Sequence, residues 1–403
     1  MTIKRNLLIG STFVAVLAAL ASAQFALQRT ADAQAKAPSM APRFEVDPMW
    51  PKPLPNGWYL GQTIGVGVDA NDHVWIIHRQ DSLDASEAAA DEGTGTCCHR
   101  TPPILEFDQA GNLLRHWGGK DGDGYQWPAS NHGLQIDGKG NIWIGGNGGG
   151  NDGHILKFTQ DGKFLMQVGI KKAGLAADSN SMDRFYLVAK VSLDNKHNEA
   201  FIADGYGNRR VAVIDMDTGK FKRYWGAYGN KPDDAAAAAL GRYSPGQGAQ
   251  QQFRGPVHCA EPSNDGLVYV CDRTNDRLQV FTLDGKFQRE IFVAPDSLGD
   301  GSTWDVAFSK DAEQKYLYLA DGRNQKLRIY DRKSMTELTN FGEGGHYPGQ
   351  FYSMHSIATD SKGNLYTTET YQGRRVQRFV YKGLAPVTKK EQGVVWPTRT
   401  ATQ

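Results

Sequence analysis

The stretch from Ile64 to Ile77 decides how the chain folds, because its pattern recurs. It reads Ile64-Gly-Val-Gly-Val-Asp69 and then, after a short turn, His73-Val-Trp-Ile-Ile77. A second copy reads His132-Gly-Leu-Gln-Ile-Asp137, followed by Asn141-Ile-Trp-Ile144. Four weaker copies begin at Ala189, His258, Trp304 and His355. Alternating apolar residues bounded by Asp, Asn and Gly are typical of β-strands joined by tight turns.

Six such copies predict an all-β protein, a six-bladed β-propeller with four-stranded blades. Third and fourth strands follow most copies, and the starts are separated by a unit of about 40 to 50 residues plus insertions. Closing six sheets into a ring protects their edges. A strand from one terminus must complete a terminal blade, near residues 44–46 or near residues 394–396, and the sequence leaves both open.

The composition excludes several classes of protein. The chain has 403 residues, of which 40% are hydrophobic and 22% charged, so it can bury a large core. Its 45 Lys and Arg against 44 Asp and Glu give a net charge of +1, which argues against a dedicated nucleic-acid binder. A mean hydropathy of −0.51 excludes a protein with many membrane spans.

The N-terminus has the pattern of an export signal. Lys4 and Arg5 precede an apolar run over residues 7–21, and Ala21-Ser22-Ala23 supplies small residues for cleavage. We expect a signal peptide over residues 1–23. An uncleaved anchor is the alternative, although the run is shorter than the ~20 residues that span a bilayer.

The remaining sequence predicts one folded domain in an exported protein, periplasmic or secreted, with no stable membrane span after cleavage. The expected parts are a linker over residues 24–42, the propeller over residues 43–397 and a C-terminal tail over residues 398–403. The alanine-rich stretch 230–255 has the low complexity of a loop. An oxidising compartment would allow the four cysteines to pair.

Histidine occupies the blade-start position in alternate blades, at His132, His258 and His355. Alternate blades of a sixfold ring lie about 120° apart, so three imidazoles at equivalent innermost positions would converge on the axis. Three neutral imidazoles with an open fourth position are the arrangement of a catalytic zinc site. The alternative is that each histidine is an ordinary core or surface residue.

Polar residues that close the second strands belong on the same face as the histidines. Asp204, Asp272, Asp321 and Glu369 recur at one repeat position, which favours turn acceptors for backbone N–H groups. Two residues break that pattern. Arg79 is a candidate anchor for a substrate carboxylate, and Tyr206 is a candidate general base, with a plain rim position as the alternative for each.

A set of short phrases between about residues 44 and 380 adds a family resemblance: Gly65-Val66-Gly67-Val68-Asp69, Ile77-His78-Arg79, Asn131-His132-Gly133-Leu134, Asp204-Gly205-Tyr206, Pro256-Val257-His258, Asp272-Arg273 and Met354-His355. Together they resemble the peptidyl-α-hydroxyglycine α-amidating lyases, which are propellers of NHL-type repeats. The three histidines and the Asp-Gly-Tyr turn are the most specific parts.

The resemblance implies Zn²⁺ on His132, His258 and His355, with Tyr206 as base and Arg79 as substrate anchor. It implies cleavage of an N-acyl carbinolamide to an amide and glyoxylate or a related aldehyde. The substrate would be a small molecule or peptide bearing a carboxylate.

Two features of this chain depart from that family. The family tends to have an aspartate directly after its last zinc histidine, and that aspartate contributes to a structural Ca²⁺ site. This chain has Ser356 at that position. The insertions at 80–102 and 230–255 would reshape the substrate rim. A second reading of the chain is a non-catalytic periplasmic NHL-repeat propeller that serves as a binding or interaction scaffold.

The cysteines fall into two pairs. Cys259 and Cys271 lie on the first two strands of the fourth blade, nearly opposite each other, which predicts a cross-strand disulfide. Cys97 and Cys98 are adjacent in the first insertion. They are candidates for a vicinal disulfide, for a metal site with His99, or for thiols in an ordinary loop.

Overall fold

The computed structural model describes residues 20–25, 27 and 38–397. The chain divides into two compact units, Met1–Met40 with Pro386–Thr388 and Ala41–Ala385 with Lys389–Gln403. In the first unit, residues 20–25 and 27 are helical and the Val387 N–H donates to the Ser39 carbonyl at 2.7 Å. Among the described residues, no helix is long and apolar enough to cross a membrane.

Most of the predicted signal peptide (1–23) and linker (24–42) lies outside the described residues, as does the whole tail (398–403). These assignments therefore stay predictions. The same holds for the apolar run that suggested export.

Six four-stranded sheets confirm the predicted propeller, and each of the first five is a meander in chain order. Blades 1 and 2 are formed by β3 (Gln62–Val68), β4 (Val74–Arg79), β6 (Ile104–Phe107) and β7 (Leu113–Trp117), then β8 (Asn131–Ile136), β9 (Ile142–Gly146), β10 (Asp152–Phe158) and β11 (Phe164–Lys171). Blades 3 and 4 are formed by β12 (Lys190–Asp194), β13 (Glu199–Asp204), β14 (Arg210–Asp215) and β15 (Phe221–Trp225), then β16 (Val257–Pro262), β17 (Leu267–Asp272), β18 (Arg277–Thr282) and β19 (Phe287–Phe292).

Blade 5 is formed by β20 (Asp305–Phe308), β21 (Tyr316–Asp321), β22 (Lys326–Asp331) and β23 (Thr336–Phe341). Blade 6 is formed by β24 (Met354–Thr359), β25 (Leu365–Glu369), β26 (Val376–Pro386) and, at its outer edge, β1 (Met40–Asp47). The first strand of each blade packs beside the first strand of the next, and β24 packs beside β3. The ring is therefore closed.

Apolar side chains fill the spaces between neighbouring blades. Trp75 of blade 1 packs in one cluster with Leu134 and Ile144 of blade 2, for example, and all three are at most 1% exposed. Both faces of each sheet are thus covered, which is why the strands are apolar on both faces.

Two insertions have structure of their own. The insertion at 80–102 contains β5 (His99–Arg100), which pairs in parallel with β2 (Trp58–Tyr59). The alanine-rich stretch 230–255 contains a short helix, α1 (Asp234–Ala239), capped by the Asp233 carboxylate. Alanine has the highest helix propensity, so the run folds as a helix where its low complexity indicated a loop.

The recurring carboxylates join the second and third strands, as the turn-acceptor interpretation predicts. Each accepts backbone or side-chain N–H groups from the neighbouring turn or preceding loop. Each also pairs with an arginine on the third strand or directly before it, in the pairs Asp204 with Arg210, Asp272 with Arg277, Asp321 with Arg328 and Glu369 with Arg375. These carboxylates are fully buried. Charge-assisted hydrogen bonds of this kind hold the ends of the strands in place.

Both termini take part in closing the ring. The N-terminal strand β1 completes blade 6 beside β26, which settles the alternative that the sequence left open. The C-terminal segment then contacts two blades through backbone hydrogen bonds of 2.8 Å. In blade 6, the Val46 N–H of β1 donates to the carbonyl of Val395. In blade 5, the N–H groups of Asn340 in β23 and of Gly342 just after it donate to the carbonyls of residues 390 and 393. This segment ties blade 5 to blade 6.

Two disulfides are present. Cys259 of β16 and Cys271 of β17 are directly paired in register, with Cα atoms 4.9 Å apart. Cys97 and Cys98 form a vicinal disulfide in the 80–102 insertion, one of the three alternatives for that pair. No free cysteine remains in the chain.

Removing the buried aromatic side chain of the closing strand β1 should destabilise the whole propeller. Phe44 of β1 is 1% exposed and contacts the rings of Tyr318, Phe341 and Tyr381 at 5.6 to 5.9 Å between centroids. We expect Phe44→Ala to lower the free energy of unfolding in urea by about 3 to 5 kcal/mol. Leu114→Ala, at a position 45% exposed on an edge strand, should change it by less than about 0.5 kcal/mol. Equal losses in the two variants would contradict the closing role of β1.

Candidate active site

The three blade-start histidines meet at the centre of the ring. His132, His258 and His355 are each the second residue of the innermost strand of their blade. Their ring centroids lie 4.7 to 5.3 Å apart, and one nitrogen of each falls within 4.8 Å of the other two. The strand register shifts at His258 and His355 and directly after His132, and such bulges redirect a side chain. All three are at most 3% exposed.

Each imidazole is oriented by the next blade of the ring. His132 Nδ1 lies 2.6 Å from the Ala189 carbonyl oxygen, and His258 Nδ1 lies 2.5 Å from the Trp304 carbonyl oxygen. A carbonyl oxygen only accepts, so Nδ1 carries the proton in both rings and Nε2 keeps its lone pair.

The third histidine reaches the next blade through a serine. His355 Nδ1 lies 3.1 Å from Ser356 Oγ, and that hydroxyl donates to the Ile64 carbonyl at 3.1 Å. The serine hydroxyl therefore accepts a hydrogen bond from the Nδ1–H group of His355. The Nε2 atom of His355 is also unprotonated. Ser356, which was expected to cost the chain a Ca²⁺ ligand, serves here to orient a histidine.

All three rings are electrically neutral. The pKa of each lies well below the ordinary value of histidine, with burial as the largest cause. Arg79 adds to the effect at His132, Arg273 at His258, and His132 at His355. Three neutral imidazoles whose Nε2 atoms face one centre and whose Nδ1–H groups are held by oxygen atoms fit the donor set of a zinc ion.

Tyr206 joins this group. It follows β13, and its hydroxyl lies 3.0 Å from His132 Nε2 and 3.2 Å from His258 Nε2. The phenol oxygen is thus at the same centre as the imidazole lone pairs, within reach of an oxygen or nitrogen bound there.

Arg79 lies on the same rim, at the end of β4, without a hydrogen bond to the histidines or to Tyr206. Its guanidinium donates to Asn131 O at 3.1 Å, to Gln62 Oε1 at 3.0 Å and to Asn147 Oδ1 at 2.8 Å. A guanidinium has five N–H groups, so two are left for a ligand. A cleft of ≈ 370 Å³ opens beside it.

Arg273 is the site residue for which the sequence alone indicated no role. Its Nη1 donates to the Tyr206 hydroxyl at 3.1 Å, and its guanidinium lies 4.5 Å from the ring centroid of Trp304. The residue is 6% exposed, and its Nε has no hydrogen-bond partner among the described residues. The strand pairing shows which signal in the sequence was missed. Thr63 pairs with His78 in blade 1, and Val257 pairs with Asp272 in blade 4. Arg79 and Arg273 directly follow His78 and Asp272, so they hold equivalent repeat positions.

A second group of possible metal ligands lies in blade 1 and is already engaged. Glu106 accepts from His73 Nδ1 at 2.7 Å and from Arg115 at 2.5 Å, while Asp69 accepts backbone N–H groups of its own turn and the Trp75 indole N–H. These contacts account for the cluster as a charge pair and a turn.

The chain is similar to two kinds of known protein. No protein-family model matches the chain. It is 28% identical to peptidyl-glycine alpha-amidating monooxygenase of Mus musculus over 267 residues, which are 63% of this chain and 24% of that protein. It is 25% identical to NHL repeat-containing protein 3 of Mus musculus over 292 residues, 70% of this chain and 65% of that protein. The chain thus spans about a quarter of the amidating monooxygenase.

Among solved structures, a Bacteroides thetaiotaomicron protein of unknown function has a TM-score of 0.51 at 14% identity, over 80% of this chain and 70% of its own. That likeness concerns the fold. These relatives, amidating monooxygenases and an NHL repeat-containing protein, confirm the predicted resemblance to the amidating lyases and to NHL-repeat propellers.

The buried neutral histidines should make the metal-free protein less stable in mild acid. His78 is fully buried, accepts from the Gly61 N–H and bonds Pro102 O, and burial lowers its pKa to about 4. The unfolded chain takes up a proton near pH 6.5 and the folded protein does not, so the free energy of unfolding falls as pH drops from 6.5 towards 4.

For His78 alone the loss between pH 7 and pH 5 is about 2 kcal/mol. Urea unfolding of His78→Gln, whose amide can replace both hydrogen bonds, should therefore show a pH-dependent loss smaller by about that amount. His197→Gln, at an exposed histidine, is the control. An unchanged pH dependence in His78→Gln would show that this residue is protonated in the folded protein as well.

Proposed function

We propose that this protein is a zinc-dependent lyase that cleaves an N-acyl carbinolamide to an amide and glyoxylate or a related aldehyde. The observation that supports this proposal most is the position of the Tyr206 hydroxyl. It lies within hydrogen-bond distance of the Nε2 atoms of two neutral histidines and accepts a hydrogen bond from Arg273. The similarity to amidating monooxygenases supports the same reaction class. The two disulfides are compatible with work in an exported, oxidising setting.

His132, His258 and His355 would hold the zinc through their Nε2 atoms. When bound, zinc supplies a Lewis acid that lowers the pKa of a coordinated hydroxyl. The three Nδ1–H hydrogen bonds keep the rings in the tautomer that can bind a metal and prevent them from rotating.

Tyr206 would move the proton. Its oxygen takes the proton from the carbinol hydroxyl of the substrate, and the former carbinol carbon becomes a carbonyl as its bond to nitrogen breaks. The electron pair of that bond goes to the amide nitrogen, which takes the proton back from Tyr206. Arg273, donating to the phenol oxygen, stabilises the negative charge that this oxygen carries before it takes the proton and again after it has given the proton up.

Arg79 would orient the substrate. Three of its N–H groups are bound to Asn131, Gln62 and Asn147, which fixes the plane of the guanidinium, and the other two can bind a carboxylate. The carboxylate next to the carbinol carbon would then lie on the rim, with the acyl group directed to the cleft beside Arg79.

A non-catalytic scaffold is the alternative, and one observation favours it. The alignment with NHL repeat-containing protein 3 covers 70% of this chain, more than the 63% covered by the amidating monooxygenase. Propellers with one architecture serve many functions, so only an assay separates the two.

The decisive experiment measures glyoxylate released from several N-acyl-α-hydroxyglycines, together with zinc content. We expect one zinc per chain and turnover in the wild type, and loss of both in His258→Ala. Tyr206→Phe should keep the zinc and lose about 10²- to 10⁴-fold in rate, the usual contribution of general acid–base catalysis. His197→Ala, at a surface histidine paired with Asp194, should match the wild type.

Zinc-loaded wild type that releases no glyoxylate from any of these substrates would contradict the lyase and favour the scaffold. If Tyr206→Phe turns over as fast as the wild type, the base is another group and only the metal centre survives.

A further inference from the structure

A buried charge cluster joins the innermost strands of blades 3, 4 and 5. Lys190 of β12 places its Nζ 2.7 Å from Asp305 Oδ1 of β20 and 3.1 Å from Glu261 Oε2 of β16. The side chains of Lys190 and Asp305 are 8% and 1% exposed. Burial opposes the charge of the lysine, but the two carboxylates outweigh it and raise its pKa. The ammonium therefore remains charged inside the ring.

The Asp305 carboxylate connects three blades. Besides Lys190 of blade 3, it accepts the Ile357 N–H of blade 6 through Oδ2 at 3.1 Å and its own blade's Val306 N–H through Oδ1 at 2.9 Å. A single carboxylate thus fixes the backbone of blades 5 and 6 and, through the lysine, that of blade 3.

Each of these contacts falls next to a group that orients a histidine. Lys190 directly follows Ala189, whose carbonyl accepts from His132, and Asp305 directly follows Trp304, whose carbonyl accepts from His258. Ile357 is two residues after the third histidine, on the same short strand. The ion pair across the axis therefore holds the peptide planes on which the imidazole orientations depend.

We propose that Lys190 and Asp305 are positioning residues for the histidine centre, and that their ion pair sets the metal affinity of the protein without contacting the metal. The proposal rests on the proposed function for the identity of the metal. Outer partners of metal ligands commonly contribute 10- to 100-fold in affinity, because they fix ligand orientation. Removing the lysine leaves the Asp305 carboxylate buried without its cation, and removing the Asp305 charge leaves Lys190 with Glu261 as its one carboxylate partner. Either change shifts the backbone that carries the pair.

The test is the zinc affinity of the purified full chain, measured by competition with a chromophoric chelator, for Lys190→Met, Asp305→Asn and the double variant. We expect each single variant to bind zinc about 10- to 100-fold more weakly than the wild type. The absorption spectrum of the Co²⁺-loaded protein should change as well, because the imidazoles no longer hold the same angles. A role limited to folding would leave that spectrum unchanged.

Lys157→Met is the matched control. Lys157 and Lys190 are both 6% exposed and both pair with an aspartate, but Lys157 lies on the third strand of blade 2, away from the axis. It should lose stability and keep the zinc affinity and the Co²⁺ spectrum of the wild type. The double variant removes the lysine together with one of its two carboxylates and leaves one fewer unpaired buried charge than Lys190→Met, so it keeps the test available if that single variant does not fold.

The outcomes separate the two proposals. Wild-type affinity and spectrum in the axis variants, with glyoxylate released by the wild type, would overturn the positioning role and leave the lyase standing. Equal losses in Lys157→Met would also overturn it, because the effect would then be one of general stability. Wild type that binds no zinc would overturn both proposals.

Discussion

Pairing of β1 with β26 closes the ring, and the centre of the molecule depends on that closure. β1 completes blade 6, and Phe44 packs on rings of blades 5 and 6. Only in a closed ring does β24 lie beside β3, so that His355 reaches Ile64 through Ser356. The other two histidines use the same geometry, each bound to the backbone of the next blade. The contacts that hold the blades together also orient the imidazoles.

Burial gives this centre its chemistry. Because the three histidines are at most 3% exposed, burial lowers the pKa of each well below its ordinary value and keeps the rings neutral, with their lone pairs available to a cation. Positive charge is supplied beside them by Arg79 and Arg273, both held in place by neighbouring groups. The arrangement places three histidines that could hold a metal ion beside a phenol and two guanidinium groups, and the proposed lyase rests on that combination.

Much of the candidate site could be predicted because the repeats show which residues occupy equivalent positions in different blades. His132, His258 and His355 stand out since they occupy one repeat position in alternate blades, and sixfold symmetry alone then predicts their convergence. Arg273 was not assigned a role because it follows one of the recurring carboxylates, which are explained by turns. Its importance comes from a contact with the Tyr206 hydroxyl across neighbouring blades, and a sequence does not contain such distances.

The sequence by itself determined the six-bladed propeller, the convergence of three histidines and the pairing of Cys259 with Cys271, because each follows from a local periodicity multiplied around a ring. The tertiary structure decided which terminus closes blade 6, and how Ser356 connects His355 by hydrogen bonds to the backbone of the next blade. It also decided that one carboxylate, Asp305, joins three blades across the axis. These depend on contacts between residues far apart in the chain, whose geometry exists only once the ring has closed.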